Sequence, residues 1–246
     1  MRDVLKAKLK EFRTFTDVRP EAKLWLEDSN LWMGLYTMLC LRSVRVDRND
    51  LVKILRGQIL EDINIELYGF CHRFRAVYRD MISSIEMQAD LDIKILDGWY
   101  SQIFEPDEGV LHRQDNGVVY DIGFIPCHFK EINEQMADLF RRARGARDAA
   151  HKSALTHLGL VEIYPYGKDS VSMALVAGMY MLMQGGIPVP SYPLSEDEYI
   201  KLISETINGH DSGPFMDMHY RSLVNRLETV LRVYERAGEP QIQEED

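Results

Sequence analysis

Cysteine is scarce in this chain of 246 residues: Cys40, Cys71 and Cys127 form an odd set with no C-x-x-C spacing. That excludes a disulfide framework and a cysteine-based zinc site, and makes a reducing compartment the simplest home. Long apolar runs are lacking too. The longest, Val171 to Met183, falls short of the roughly 20 residues a bilayer requires and reads as a buried core helix, so no membrane association is expected. The opening MRDVLKAKLKEF alternates charge and hydrophobe without an apolar h-region, so a cytoplasmic protein is expected. Delivery to another cell stays open. Positive charge is in deficit: 29 Lys and Arg face 39 Asp and Glu, a net of −10. A nucleic-acid partner is therefore not expected, because phosphate contacts need clustered cations.

The strong catalytic motifs are missing as well. There is no H-E-x-x-H, G-x-S-x-G or G-x-G-x-x-G. Gly167-Lys168 has the look of a P-loop end, but Asp169 follows where Ser or Thr is required, and no glycine stands five residues before Gly167. His151 and His157 have no ligand-like spacing. His210, Asp211, Asp217 and His219 are interrupted by Gly213-Pro214 and read as a polar loop followed by a helix cap. No metal site is predicted. The basic run Arg141, Arg142, Arg144, Arg147 reads as a solvated helix end.

What is present is helical periodicity. Leu5, Leu9 and Phe12 open an amphipathic helix, and Leu24 to Leu41 continues apolar-rich. Asp47 with Asp50 has the shape of a capping box, which starts a helix near Arg48. Further helices are expected over Asp62 to Met87, Leu91 to Phe104, Phe129 to Arg144, His151 to Ile163, Val171 to Met183, from Ser195 onward, and over Pro214 to Ala237. The turn cluster Pro106-Asp107-Glu108-Gly109 ends one of them. One β signal stands out: Asn116-Gly117 between Val110-Leu111-His112 and Val118-Val119-Tyr120 predicts a hairpin. The chain divides into residues 1–90, a helical region packed on the core; 91–237, the core with the hairpin; and a polar tail, 238–246, expected to be disordered. It forms one structural unit.

The segment from Ala149 to Ser172 is helix, loop, helix, with the loop opening onto the second helix N-terminus. It resembles the core of the Fic (Fido) family, whose signature is H-P-F-x-(D/E)-G-N-G-R-x-x-R. His157-Leu158-Gly159-Leu160-Val161-Glu162-Ile163 looks like the helix before the signature, and Pro165 matches its proline. The likeness runs over residues of about 15 to 235. Residues 109–126 resemble the β-hairpin flap that guides target peptides in Fic enzymes. The fold it implies is mostly α: a Fic-like helical bundle with one β-hairpin flap before the motif.

Departures from the signature decide the function it implies. Tyr164 stands at the position of the histidine general base. A phenol titrates near 10, so basic action at pH 7 needs a shift of about 3 units, or about 4 kcal/mol. Lys168 replaces the acidic residue that holds Mg²⁺. Asp169-Ser170-Val171 replaces the glycines that let backbone N–H groups approach a polyphosphate. Ser172 and Leu175 replace the two arginines. Losing a general base alone costs about 10²–10⁴ in rate, so neither Mg²⁺ nor ATP use is implied. Many relatives also carry an inhibitory helix, (S/T)-x-x-x-E-(G/N), whose glutamate pairs the second arginine. Met38 and Arg42 stand at its serine and glutamate positions, and Arg42 has only Leu175 at the arginine position.

The function implied is a Fic-fold protein that has lost AMP transfer and acts as a binding or regulatory module. Its flap residues Leu111, His112, Arg113, Val118, Val119 and Tyr120 would capture a protein or peptide partner by strand addition. The alternative is a divergent transferase that moves a phosphate-bearing or sugar group onto a hydroxyl. Its catalytic candidates are Tyr164 and Lys168, and the pocket would comprise Tyr164, Tyr166, Gly167, Lys168, Asp169, Ser170 and Ser172. A phosphate-bearing small ligand could be held there by Lys168 and the helix N-terminus. Alternatively, Tyr164, Tyr166 and Tyr180 fill the space a nucleotide would occupy.

Overall fold

Side-chain caps written into the sequence start five of the α-helices. In the computed structural model, which describes residues 1–16, 18–61, 63–106, 109–119 and 121–238, ten α-helices follow one another. They are α1 (Arg2–Phe12), α2 (Pro20–Cys40), α3 (Arg48–Leu55), α4 (Ile65–Glu86), α5 (Ile93–Phe104), α6 (Ile132–Arg144), α7 (Ala149–Ile163), α8 (Ser170–Gln184), α9 (Glu196–Asn208) and α10 (Gly213–Gly238). Asp107, Glu108, Tyr120 and the tail from 239 onward lie outside the described residues.

Asp47 caps α3 by accepting from the N–H groups of Asn49 at 2.8 Å and Asp50 at 3.4 Å. The expected reciprocal contact is replaced: Asp50 pairs with Lys53 at 2.9 Å. Asn64, Asp92 and Asp148 cap α4, α5 and α7 in the same way. Ser195 and Glu198 form a full capping box on α9. Each such cap is worth about 1 kcal/mol.

One hydrophobic core runs across residue 90, joining Leu35 of α2 and Phe74 of α4 to Leu160 of α7 and Tyr180 of α8. α7 and α8 form a hairpin at its centre. Gly159 lets α6 come close, since a Cβ there would meet the Leu139 side chain. α1 lies against α10 through Leu5, Leu223, Val224 and Leu227.

The flap departs from expectation. Among the described residues there is no β-strand, only one antiparallel bridge between Val119 and Phe124. The reason is local competition for the backbone. Arg113 donates its N–H to Pro165 O at 2.9 Å, and Gly117 N–H turns back to Asp115 Oδ1 at 3.3 Å. Asn116 Oδ1 accepts from Phe129 N–H at 2.9 Å. The Asn-Gly turn chemistry is thus used to fasten the segment to its surroundings instead of to pair two strands.

Candidate functional site

α7 delivers the chain to the motif loop through a left-handed residue. Tyr164 has φ 56° and ψ 49° and donates its N–H to Leu160 O at 3.0 Å. A non-glycine residue pays about 1–2 kcal/mol for that conformation, so surrounding contacts must hold it. Phe124 meets the Tyr164 ring edge-on at 6.3 Å. Arg113 holds the backbone: its Nε donates to Tyr164 O at 3.0 Å and its Nη2 to Ile163 O at 3.3 Å. The same guanidinium also reaches the carbonyls of Asp115 and Cys127.

Tyr166 is 4% exposed. Its hydroxyl donates to Asp97 Oδ1 at 2.7 Å, and its ring lies 4.4 Å from that of Tyr100. His112 Nε2 meets the same Asp97 oxygen at 2.9 Å. Burial, then the Asp97 carboxylate, pushes the Tyr166 phenol well above its ordinary range. Ser170, fully buried, accepts the Tyr166 N–H on its Oγ at 3.0 Å. Gly167 takes φ 55° without strain, and a short 3-10 turn, Gly167–Asp169, leads into α8.

Asp169 is engaged by a residue 127 positions away. Arg42, just past the end of α2, meets Asp169 Oδ1 at 2.5 Å and donates to Ser172 Oγ at 3.3 Å. Its guanidinium lies 5.0 Å over the Phe104 ring. The Asp169 side chain is only 10% exposed and Arg42 30%, so loss of the guanidinium would leave a poorly hydrated carboxylate without its counter-charge. Arg42 therefore has a partner, but one on the motif loop in place of Leu175.

The two catalytic candidates differ. Tyr164 is half-buried, and burial, followed by the Asp121 and Asp169 carboxylates, raises its phenol pKa. That is the direction opposite to the one a base needs. Lys168 is exposed and makes no hydrogen bond or ion pair among the described residues. Tyr180 lies elsewhere, against Trp99 with ring centroids 5.2 Å apart and bonded to the Ala89 carbonyl. Of the flap residues, Leu111 and Val118 are exposed, Val119 is buried on the bridge, and His112 is half-buried on Asp97. Tyr120 is outside the described residues. His219 is buried in α10 while His210 and Asp217 are exposed. Among the described residues no trio of His, Cys, Asp or Glu is arranged to hold a metal ion, and no helix is long and apolar enough to cross a membrane.

Two site contacts escape the sequence reading. Arg42 is left there without a partner, because Leu175 stands at the arginine position, and Asp97 is not singled out. A signal for Asp97 existed: a carboxylate beside the buried face of α5, next to Leu96 and Trp99, must find donors.

No protein-family model and no curated protein matches this sequence. Solved structures do match. A Fic domain-containing signalling protein from Bacteroides thetaiotaomicron superposes with a TM-score of 0.81 at 13% identity, covering 96% of this chain and 100% of that one. Fic-1 from C. elegans gives 0.76 at 14% identity, over 96% of this chain and 73% of that one. A Fic family protein from Desulfovibrio desulfuricans gives 0.71 at 14% identity, over 97% and 75%. The chain has the Fic fold; at such identities the likeness carries the fold and not the activity.

Proposed function

We propose that this Fic-fold protein has lost AMP transfer and acts as a binding or regulatory module. One observation carries the reading: four polar side chains of the motif loop, Tyr166, Asp169, Ser170 and Ser172, are engaged with the protein itself. Asp169 and Ser172 face Arg42, Tyr166 bonds Asp97, and Ser170 bonds the loop backbone. A Mg²⁺-nucleotide does not fit this donor set. The one loop carboxylate already neutralises a guanidinium, an ammonium stands at the metal-binding position, and Tyr164 titrates in the wrong direction. No step is derived through such a ligand.

The partner would meet the flap. Without a strand edge to extend, its contact would come from the exposed apolar side chains Val110, Leu111, Val118 and Ile125, the last 72% exposed. The divergent transferase keeps one observation in its favour, the unpartnered Lys168 beside the α8 N-terminus.

A thermal-shift panel of nucleotides, nucleotide sugars and phosphocholine donors separates the two. A bound donor at 100 times its Kd adds about 2.7 kcal/mol. The binding module requires a flat panel and a partner whose capture is lost in Leu111→Asp and Ile125→Asp. A donor-dependent shift that disappears in Lys168→Ala would overturn it in favour of transfer.

A further inference from the structure

We infer that the groove between α1 and the start of α7 is a docking site for an acidic peptide segment of about five extended residues. The groove encloses about 490 Å³. Its floor is apolar, built from Leu5, Ile187 and Tyr220, each at most 6% exposed. Its rim is cationic. Lys6 and Lys10 of α1 and Arg13, its C-cap, follow one another at four and three residues on one stripe, and Arg147 lines the groove with them. Lys6 also lies 3.8 Å from Asp3. Arg2 continues the stripe and is fixed by Asp148, the α7 cap, at 3.0 Å.

Lys10, Arg13 and Arg147 are exposed and make no hydrogen bond or ion pair among the described residues. The one carboxylate lining the groove, Asp148, is taken up by Arg2. In a chain with a net charge of −10, the three unpaired cations repel one another and attract an anion.

The spacing selects the kind of anion. From Arg2 to Arg13 the helix rises about 16 Å, so the cations are strung out and do not converge on one phosphate. An extended chain advances 3.3–3.6 Å per residue, and about five residues cover that distance. Depth selects against a membrane: the apolar side chains form the floor beneath the cations, where a slim peptide reaches and a bilayer surface does not. The groove lies at the first turn of α7, whereas the motif loop follows its last. At 1.5 Å per residue the two are about 20 Å apart, so the inference stands whether or not the loop supports transfer.

The test is fluorescence anisotropy with the full chain and labelled Glu-Asp-Leu-Glu-Asp, beside its neutral analogue Gln-Asn-Leu-Gln-Asn. Saturable binding of the acidic peptide is expected, at least about tenfold weaker for the neutral one and in the Lys10→Glu/Arg13→Glu variant. Raising salt from about 50 to about 500 mM should weaken it by a similar factor. Arg141→Glu/Arg142→Glu makes the same charge change on exposed α6 residues and should leave binding within about twofold. Equal loss in that control would reduce the effect to net charge and overturn the site. So would binding to phosphatidylserine vesicles without peptide binding, or full competition by inorganic phosphate. Should the charge reversal lower the melting temperature, Lys10→Gln/Arg13→Gln gives the same comparison.

Discussion

α7 carries buried polarity at two places and handles it in two ways. In its middle, His157 enters a layer with Tyr192, Tyr199, Phe215 and His219. There His157 Nε2 meets Tyr199 OH at 2.6 Å, Tyr192 OH meets His219 Nδ1 at 3.0 Å, and His157 stacks on Phe215 at 4.9 Å. At its end it hands the chain to a loop where a carboxylate and a guanidinium meet. The layer is neutral and buried; the loop is ionic and borders solvent. A neutral layer cannot accept a proton without burying a charge, whereas an ion pair is broken most directly by removing one partner, which strands the other charge. The two regions should therefore respond to different perturbations.

The largest effect belongs to acid. Burial pushes His157 down to about 3 and His219 to about 4, against about 6.5 in the unfolded chain. Between those values the unfolded state binds more protons, so the stabilisation is complete above pH 6.5 and is lost as pH falls. At pH 5 each histidine has given up about 2 kcal/mol, or about 4 kcal/mol for the two. Urea unfolding at pH 7.5 and 5 measures the loss, and His157→Phe should cut the proton uptake on unfolding from about two to about one. A loss below about 1 kcal/mol would mean that the layer is not held neutral.

Breaking the ionic end comes next. Arg42→Ala leaves the Asp169 carboxylate, 10% exposed, without its cation, and should cost about 2–3 kcal/mol. A cycle with Asp169→Asn should return a coupling of at least about 1 kcal/mol. Independent effects would show that something other than this pair closes the loop.

Arg113 gives a smaller and more local effect. Its planar fork donates to carbonyls on the flap segment and on the motif loop. A lysine head offers no such fork, so Arg113→Lys should cost about 1–2 kcal/mol. Hydrogen exchange should quicken over residues 110–119 and stay unchanged in the middle of α7. Uniform acceleration would join the two regions into one cooperative unit.

What the sequence made legible follows the range of the interactions. Asp47 and Ser195 mark helix starts because a cap acts over three residues. The order of helices around the loop was readable from apolar spacing, and the resemblance of that arrangement, with Pro165, to the Fic signature region led to the right fold. The Asn116-Gly117 turn forms no paired strands, since its side chain has a partner in Phe129, 13 residues on, and its backbone a local one in Asp115. Arg42 and Asp169 are 127 residues apart, and no local pattern links them. Tyr166 was readable as a filler of space, but its bond to Asp97 across 69 residues was not.

The smallest effect on stability is the most diagnostic for the loop. Lys168 is the one signature replacement with an exposed charged group and no partner among the described residues, so Lys168→Ala should change stability by no more than about 0.5 kcal/mol. Arg42→Ala, acting on the next residue of the same turn, should change it several-fold more. That contrast separates what the loop does for the fold from what it offers to a ligand. Thermal melts of the two variants measure the first. A melt of Lys168→Ala with and without inorganic phosphate measures the second, and the binding-module reading requires identical curves. If phosphate protects the parent chain but not the variant, the ammonium is a ligand group, and the loop is a working anion site despite its internal ion pair.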